Sequence, residues 1–142
     1  MIRQRLGKDL LFFDGGMGTL LQEKGLAPGE LPETWNLTHS EEIYKIHRQY
    51  IEAGSDIILT NTFGANALKF HDDSCSLEEI IKAAVSHVKK AEREALLQTG
   101  DERKIYTALD VGPTGKLLKP MGDLEFETAY EAFKEVVILS LI

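Results

Sequence analysis

Three times along this chain a short apolar run ends in a polar, glycine-bearing segment and then gives way to a stretch with helical spacing. The runs are Leu10 to Phe13, Ile57 to Thr60 and Ile105 to Leu109. The segments that follow them are Asp14-Gly15-Gly16-Met17-Gly18-Thr19, Asn61-Thr62-Phe63-Gly64-Ala65-Asn66 and Asp110-Val111-Gly112-Pro113-Thr114-Gly115. Runs this short and this apolar read as buried strands. Strands joined through helices have crossovers long enough to lie parallel, so the alternation predicts an α/β chain of three strand-helix units around a parallel sheet.

The helices between them carry their own punctuation. A short helical turn is expected over residues 19–24, ended by Gly25, and the prolines and glycine of segment 27–33 read as a loop. Thr38-His39-Ser40-Glu41 has the spacing of a capping box, with Ile43, Ile46, Tyr50 and Ile51 on one face after it and Gly54 as the stop. Ser76-Leu77-Glu78-Glu79 is a second such box, followed by the stripe Ile80, Ile81, Ala84, Val85, Val88, Ala91 and Ala95 and closed by Gly100. A last helix from about Phe126 is expected to bury Tyr130, Phe133, Val136 and Val137. The apolar end, Ile138-Leu139-Ser140-Leu141-Ile142, reads as a helix cut rather than finished. A complete eight-unit barrel needs about 250 residues, so three units are a little under half of one.

Charge and cysteine content narrow the partners. A net charge of −7 with scattered Lys and Arg argues against a nucleic-acid footprint or an anionic membrane surface, which leaves small molecules. The single cysteine, Cys75, excludes an intrachain disulfide and suits a reducing compartment, so cytoplasm is the expected location. No apolar stretch reaches the roughly 18 residues of a membrane span.

In α/β folds ligands bind at the carboxyl ends of the strands, and Asp14, Thr60, Asn61, Thr62 and Asp110 all fall there. The glycine turn after Asp14 can cradle an anionic group on backbone amides while the carboxylate orients a cationic one, or it can be a plain strand-to-loop turn. Asn61 can likewise serve a ligand or its own loop. The histidines point elsewhere: His47 to a helix face boundary, His87 to a solvated or half-buried position, His39 to a cap and His71 to a loop. None is paired at metal-ligand spacing, and Cys75 has no cysteine partner. A dinucleotide loop is disfavoured because Leu21 stands where the third glycine of G-x-G-x-x-G would be.

Four ordered motifs carry a resemblance: Asp14 to Thr19, Leu31-Pro32-Glu33-Thr34-Trp35-Asn36, Tyr50 through Asn66, and Gly112-Pro113-Thr114-Gly115. Together they resemble the homocysteine S-methyltransferase family, and within it the N-terminal homocysteine-binding domains of cobalamin-dependent methionine synthases. The resemblance implies a TIM-type (β/α)8 barrel that binds homocysteine at its C-terminal rim and methylates its sulfur to give methionine. It implies a zinc ion held by three cysteine thiolates, which keeps deprotonated a thiol whose ordinary pKa is about 8.5. It also implies that Asp14 lies near the substrate amine, that amides of Gly15, Gly16 and Met17 cradle its carboxylate, and that Thr60 and Thr62 belong to the rim.

The family's zinc cysteines lie late in the barrel, beyond the match to this sequence. The expectation is therefore that residues 1–142 form the first three units of such a barrel, with part of the amino-acid pocket and no catalytic or metal residue of their own. Such a chain alone would bind no catalytic zinc and transfer no methyl group. The methyl donor stays open between methylcobalamin charged from methyltetrahydrofolate, S-methylmethionine, betaine and others. The alternative from another class is a partial-barrel assembly module that self-associates through its open strand edge.

Overall fold

A computed structural model describes residues 2–70, 74–100 and 102–141, so His71 lies outside the described residues. The order of regular elements is α1 (Met17–Glu23), α2 (Trp35–Thr38), α3 (Ser40–Glu52), β1 (Ile57–Leu59), α4 (Leu77–Thr99), β2 (Tyr106–Ala108) and α5 (Phe126–Leu139). The strands β1 and β2 pair in parallel, Ile57 opposite Tyr106 and Leu59 opposite Ala108. The α/β class and the parallel pairing are as the alternation required.

The first expected strand is reduced to a single parallel bridge between Phe13 and Ile57. All its bonds run to one neighbour: Asp56 and Ile57 N–H donate to the Phe12 carbonyl, and Asp14 N–H donates to the Ile57 carbonyl at 3.0 Å. No described strand lies on its other side. Phe12 and Phe13 are therefore 55% and 58% exposed, where burial was expected.

The core sits between α3, α4 and the sheet, where Tyr44, Ile51, Ile58, Val88, Ala91, Ala95 and Ile105 pack together. The stripe read on α4 is buried at every position. Its capping box is formed, with the Ser76 hydroxyl accepting from Glu79 N–H at 3.2 Å and the Glu79 carboxylate accepting from Ser76 N–H at 2.8 Å. Gly100 ends the helix at φ +65°, a conformation in which a side chain would be strained.

Two local expectations give way. The box at Thr38 is not made, because segment 32–38 is itself wound, as a 3-10 turn and then α2. Thr38 closes that helix and donates its hydroxyl back to the Thr34 carbonyl at 3.2 Å, leaving α3 to start at Ser40 with no side-chain cap from His39 before it. Finally, α5 buries Ala129, Ala132 and Val136, while Tyr130 and Val137 are exposed. The two small residues permit close packing, and Val136 joins Ala65, Phe70, Ile80 and Ile81 in a second cluster. Among the described residues no helix is long and apolar enough to cross a membrane.

Candidate functional site

The strand ends converge on a cavity of about 440 Å³. Asp14 stands at one side of it. Its Oδ2 accepts the Leu59 N–H at 3.1 Å, which ties the first rim loop to the end of β1, while Oδ1 is buried with no hydrogen-bond partner. Burial, with the nearby Asp110 charge adding to it, raises the Asp14 carboxyl to about 6 against the bonds that hold it down. Asp110, on the segment after β2, is also raised by burial.

The turn after Asp14 needs its first glycine. A Cβ at Gly15 would lie 2.7 Å from the Tyr50 hydroxyl of α3, so a side chain there would have to push the Tyr50 ring aside. Gly15, Gly16 and Met17 line the cavity, and α1 begins at Met17, with Gly16 before it and no side-chain cap. The first N–H groups of a helix have no partner within it.

The second strand end divides between wall and tie. Thr60 and Asn61 line the cavity. Asn61 spends its side-chain amide inside the protein, donating to the Pro32 carbonyl at 2.8 Å and to Asn36 Oδ1 at 3.2 Å. Thr62 is not among the lining residues: it is 1% exposed and donates to the Asp110 carbonyl at 2.8 Å, while its hydroxyl pairs with that of Thr60 at 2.7 Å. The structure thus brings Asp14, Gly15, Gly16, Met17, Thr60, Asn61 and Asp110 to one cavity and sets Thr62 behind its wall.

Other lining residues were not singled out from the sequence as site residues. Glu33, buried at 3% exposure, contributes a third carboxylate, and Lys69, whose ammonium lies 5.3 Å from the Phe63 ring centre, is the only basic residue among the described lining residues. The Leu-Pro-Glu-Thr-Trp-Asn motif was the available signal for Glu33 and the strand-end segment Asn61 to Asn66 that for Phe63; nothing marked Lys69.

The comparisons with known proteins agree with one another. Residues 11–141 match the family model described as Homocysteine S-methyltransferase. The chain belongs to the homocysteine S-methyltransferase family. It is 30% identical over 138 residues to a methionine synthase of Mycobacterium leprae, covering 93% of this chain and 11% of that protein. A methionine synthase of Mycobacterium tuberculosis is also 30% identical, over 139 residues that make up 94% of this chain and 12% of that protein. In structure the chain is similar to the metallated form of the homocysteine methyltransferase MmuM from Escherichia coli, with a TM-score of 0.81 at 21% identity over 99% of this chain and 53% of that one. This homocysteine S-methyltransferase family member thus spans about half of the solved neighbour and about a tenth of the methionine synthases it matches.

The zinc implied by that family finds no fitting donor set in the described residues. Cys75 lines a second cavity of about 600 Å³ with His39, apart from the Asp14 rim. Among the described residues no three His, Cys, Asp or Glu side chains come together as ligands. His47, expected at a face boundary, is fully buried between helices with neither ring nitrogen bonded, and burial lowers it to about 3, so it is a neutral packing group.

Proposed function

We propose that this chain supplies the amino-acid-binding wall of a homocysteine S-methyltransferase, in the form of the first three units of a (β/α)8 barrel. The observation that supports it most is the unpartnered, buried Oδ1 of Asp14 beside the Gly15-Gly16-Met17 backbone on one cavity. A buried carboxylate oxygen without a bond is costly, and an ammonium group arriving there would relieve that cost. Peptide N–H groups of the adjoining turn suit the carboxylate of the same amino acid, because an α-amino acid carries the two charges a few ångströms apart.

In this reading Asp14 holds the homocysteine amine and Asp110 adds negative potential on the same rim. Thr60 and Asn61 form the floor, and Thr62 keeps the Asp110 segment in place through its carbonyl. The ligands of a thiolate-activating zinc and the methyl donor, methylcobalamin charged from methyltetrahydrofolate or another, belong to parts of a complete enzyme that these described residues do not supply. The test is calorimetric titration of the 142-residue chain with L-homocysteine. Saturable binding that weakens at least tenfold in Asp14→Asn is the expected outcome, and no binding by the unaltered chain would overturn the reading. A non-catalytic assembly module is the second reading, supported by the exposed Phe12 and Phe13 beside the sheet; a monomeric mass across a concentration series would rule it out.

A further inference from the structure

We propose that Glu33 is a positioning residue, which grips the Phe63–Gly64 peptide from one end while Gly112 grips it from the other, and so sets the spacing of three rim loops around the cavity. The proposal rests on the reading that this cavity takes the amino-acid end of homocysteine. Gly64 N–H donates to Glu33 Oε1 at 2.5 Å, and Gly112 N–H donates to the Phe63 carbonyl at 3.1 Å. Those acceptor and donor groups are the two polar ends of one planar peptide unit, so the plane has both its tilt and its height fixed. One peptide thereby joins the segments around Glu33, around Gly64 and around Gly112, and the last of these carries Asp110.

The residue types agree with a built contact. A Cβ at Gly64 would stand 2.8 Å from Glu33 Oε1 and 3.1 Å from its Cδ, and a Cβ at Gly112 would stand 2.2 Å from the Phe63 carbonyl oxygen. Both glycines leave room for the neighbour that grips the shared peptide. Glu33 is 3% exposed, and a carboxylate leaves water at that cost only against a strong donor. Two amide bonds already join the same strands of chain without charge, Asn36 Nδ2 to the Asn61 carbonyl and Asn61 Nδ2 to the Pro32 carbonyl, each at 2.8 Å. Glu33 adds what they lack, an orientation for the peptide on which the Asp110 segment leans.

Glu33→Gln keeps an acceptor of the same length, whereas Glu33→Ala removes it and Gly112→Ala forces the other end apart. Two readouts on the 142-residue chain separate the outcomes: L-homocysteine affinity, and the NMR shift and exchange protection of the Gly64 amide. Glu33→Ala and Gly112→Ala are expected to weaken binding about tenfold and to release the Gly64 amide, with Glu33→Gln within about threefold of the unaltered chain and its amide still protected. Val88→Ala, in the helical core, is the control for general destabilisation and should lower the melting temperature without changing affinity. Unchanged binding in Glu33→Ala overturns the proposal, as does equal loss in Glu33→Gln and Glu33→Ala, which would make the charge a direct ligand contact. If Glu33→Ala does not fold, Glu33→Asp, one methylene too short to reach Gly64, replaces it. Failure of the unaltered chain to bind homocysteine would sink the functional reading alone, whereas an unprotected Gly64 amide in that chain would sink the clamp.

Discussion

The helical layer and the rim both bury an ionisable side chain, and they treat it in opposite ways. His47 of α3 is fully buried with no hydrogen bond on either nitrogen, so burial strips its charge and leaves a ring that packs as an apolar group. Asp14 keeps one oxygen bonded to the end of β1 and leaves the other unpartnered beside an open cavity. A buried group without a bond is part of the core when nothing can reach it and a candidate site when something can.

The largest effect that tests this contrast is in the layer itself. Ile58→Ala removes a fully buried side chain from the α3–α4 cluster and is expected to cost roughly 2–5 kcal/mol in denaturant unfolding, with little change in the cavity. At the rim, Asn61→Ala leaves buried partners at Pro32 and Asn36 unpaired and is expected to cost roughly 1–3 kcal/mol while also weakening homocysteine binding. If the core change impaired binding as much as the rim change did, the division between the two regions would fail.

Acidity sharpens the comparison because the two groups have opposite signs. His47 is lowered from its ordinary value to about 3, so the folded state holds fewer protons than the unfolded one and stability drains as pH falls below about 6.5. Asp14 is raised to about 6, so the folded state holds more protons and its contribution grows as pH falls from about 6 to about 4. Unfolding measured against pH should therefore show a shallower acid-side decline in His47→Leu and a steeper one in Asp14→Asn. Homocysteine affinity should fall as pH drops through about 6, since protonation removes the charge that meets the amine. The smallest effect comes from the caps: Ser76→Ala is expected to lower stability by about 1 kcal/mol, and Thr38→Ala by less than about 0.5 kcal/mol, because only the Ser76 box is formed.

The pair of boxes also marks how far the sequence could be read. Ser76 follows a loop, so its hydroxyl was free to cap, and the α4 stripe could be named residue by residue. Thr38 has the same local spacing but closes α2, a helix with no periodic signal long enough to detect. For α5 the apolar residues outnumber what one face can bury, and contact with α4 selected the small ones, Ala129 and Ala132, over Tyr130 and Val137. At the site, Asp14, the glycine turn, Thr60, Asn61 and Asp110 were legible because strand ends announce themselves. The contact between Glu33 and Gly64 was not, since it joins residues 31 positions apart in the chain.

By itself the sequence determined the alternation of strands and helices, the parallel pairing of β1 and β2, the buried face of α4 and membership of the homocysteine S-methyltransferase family. These follow from local periodicity, capping chemistry and short motifs, all of which act within a few residues. Only the tertiary structure decided that His47 is core, that Phe12 and Phe13 lie open, that Thr62 sits behind the wall, and that one peptide holds three rim loops. Those outcomes depend on which distant segments meet, and burial and hydrogen bonding acquire their value only once they have met.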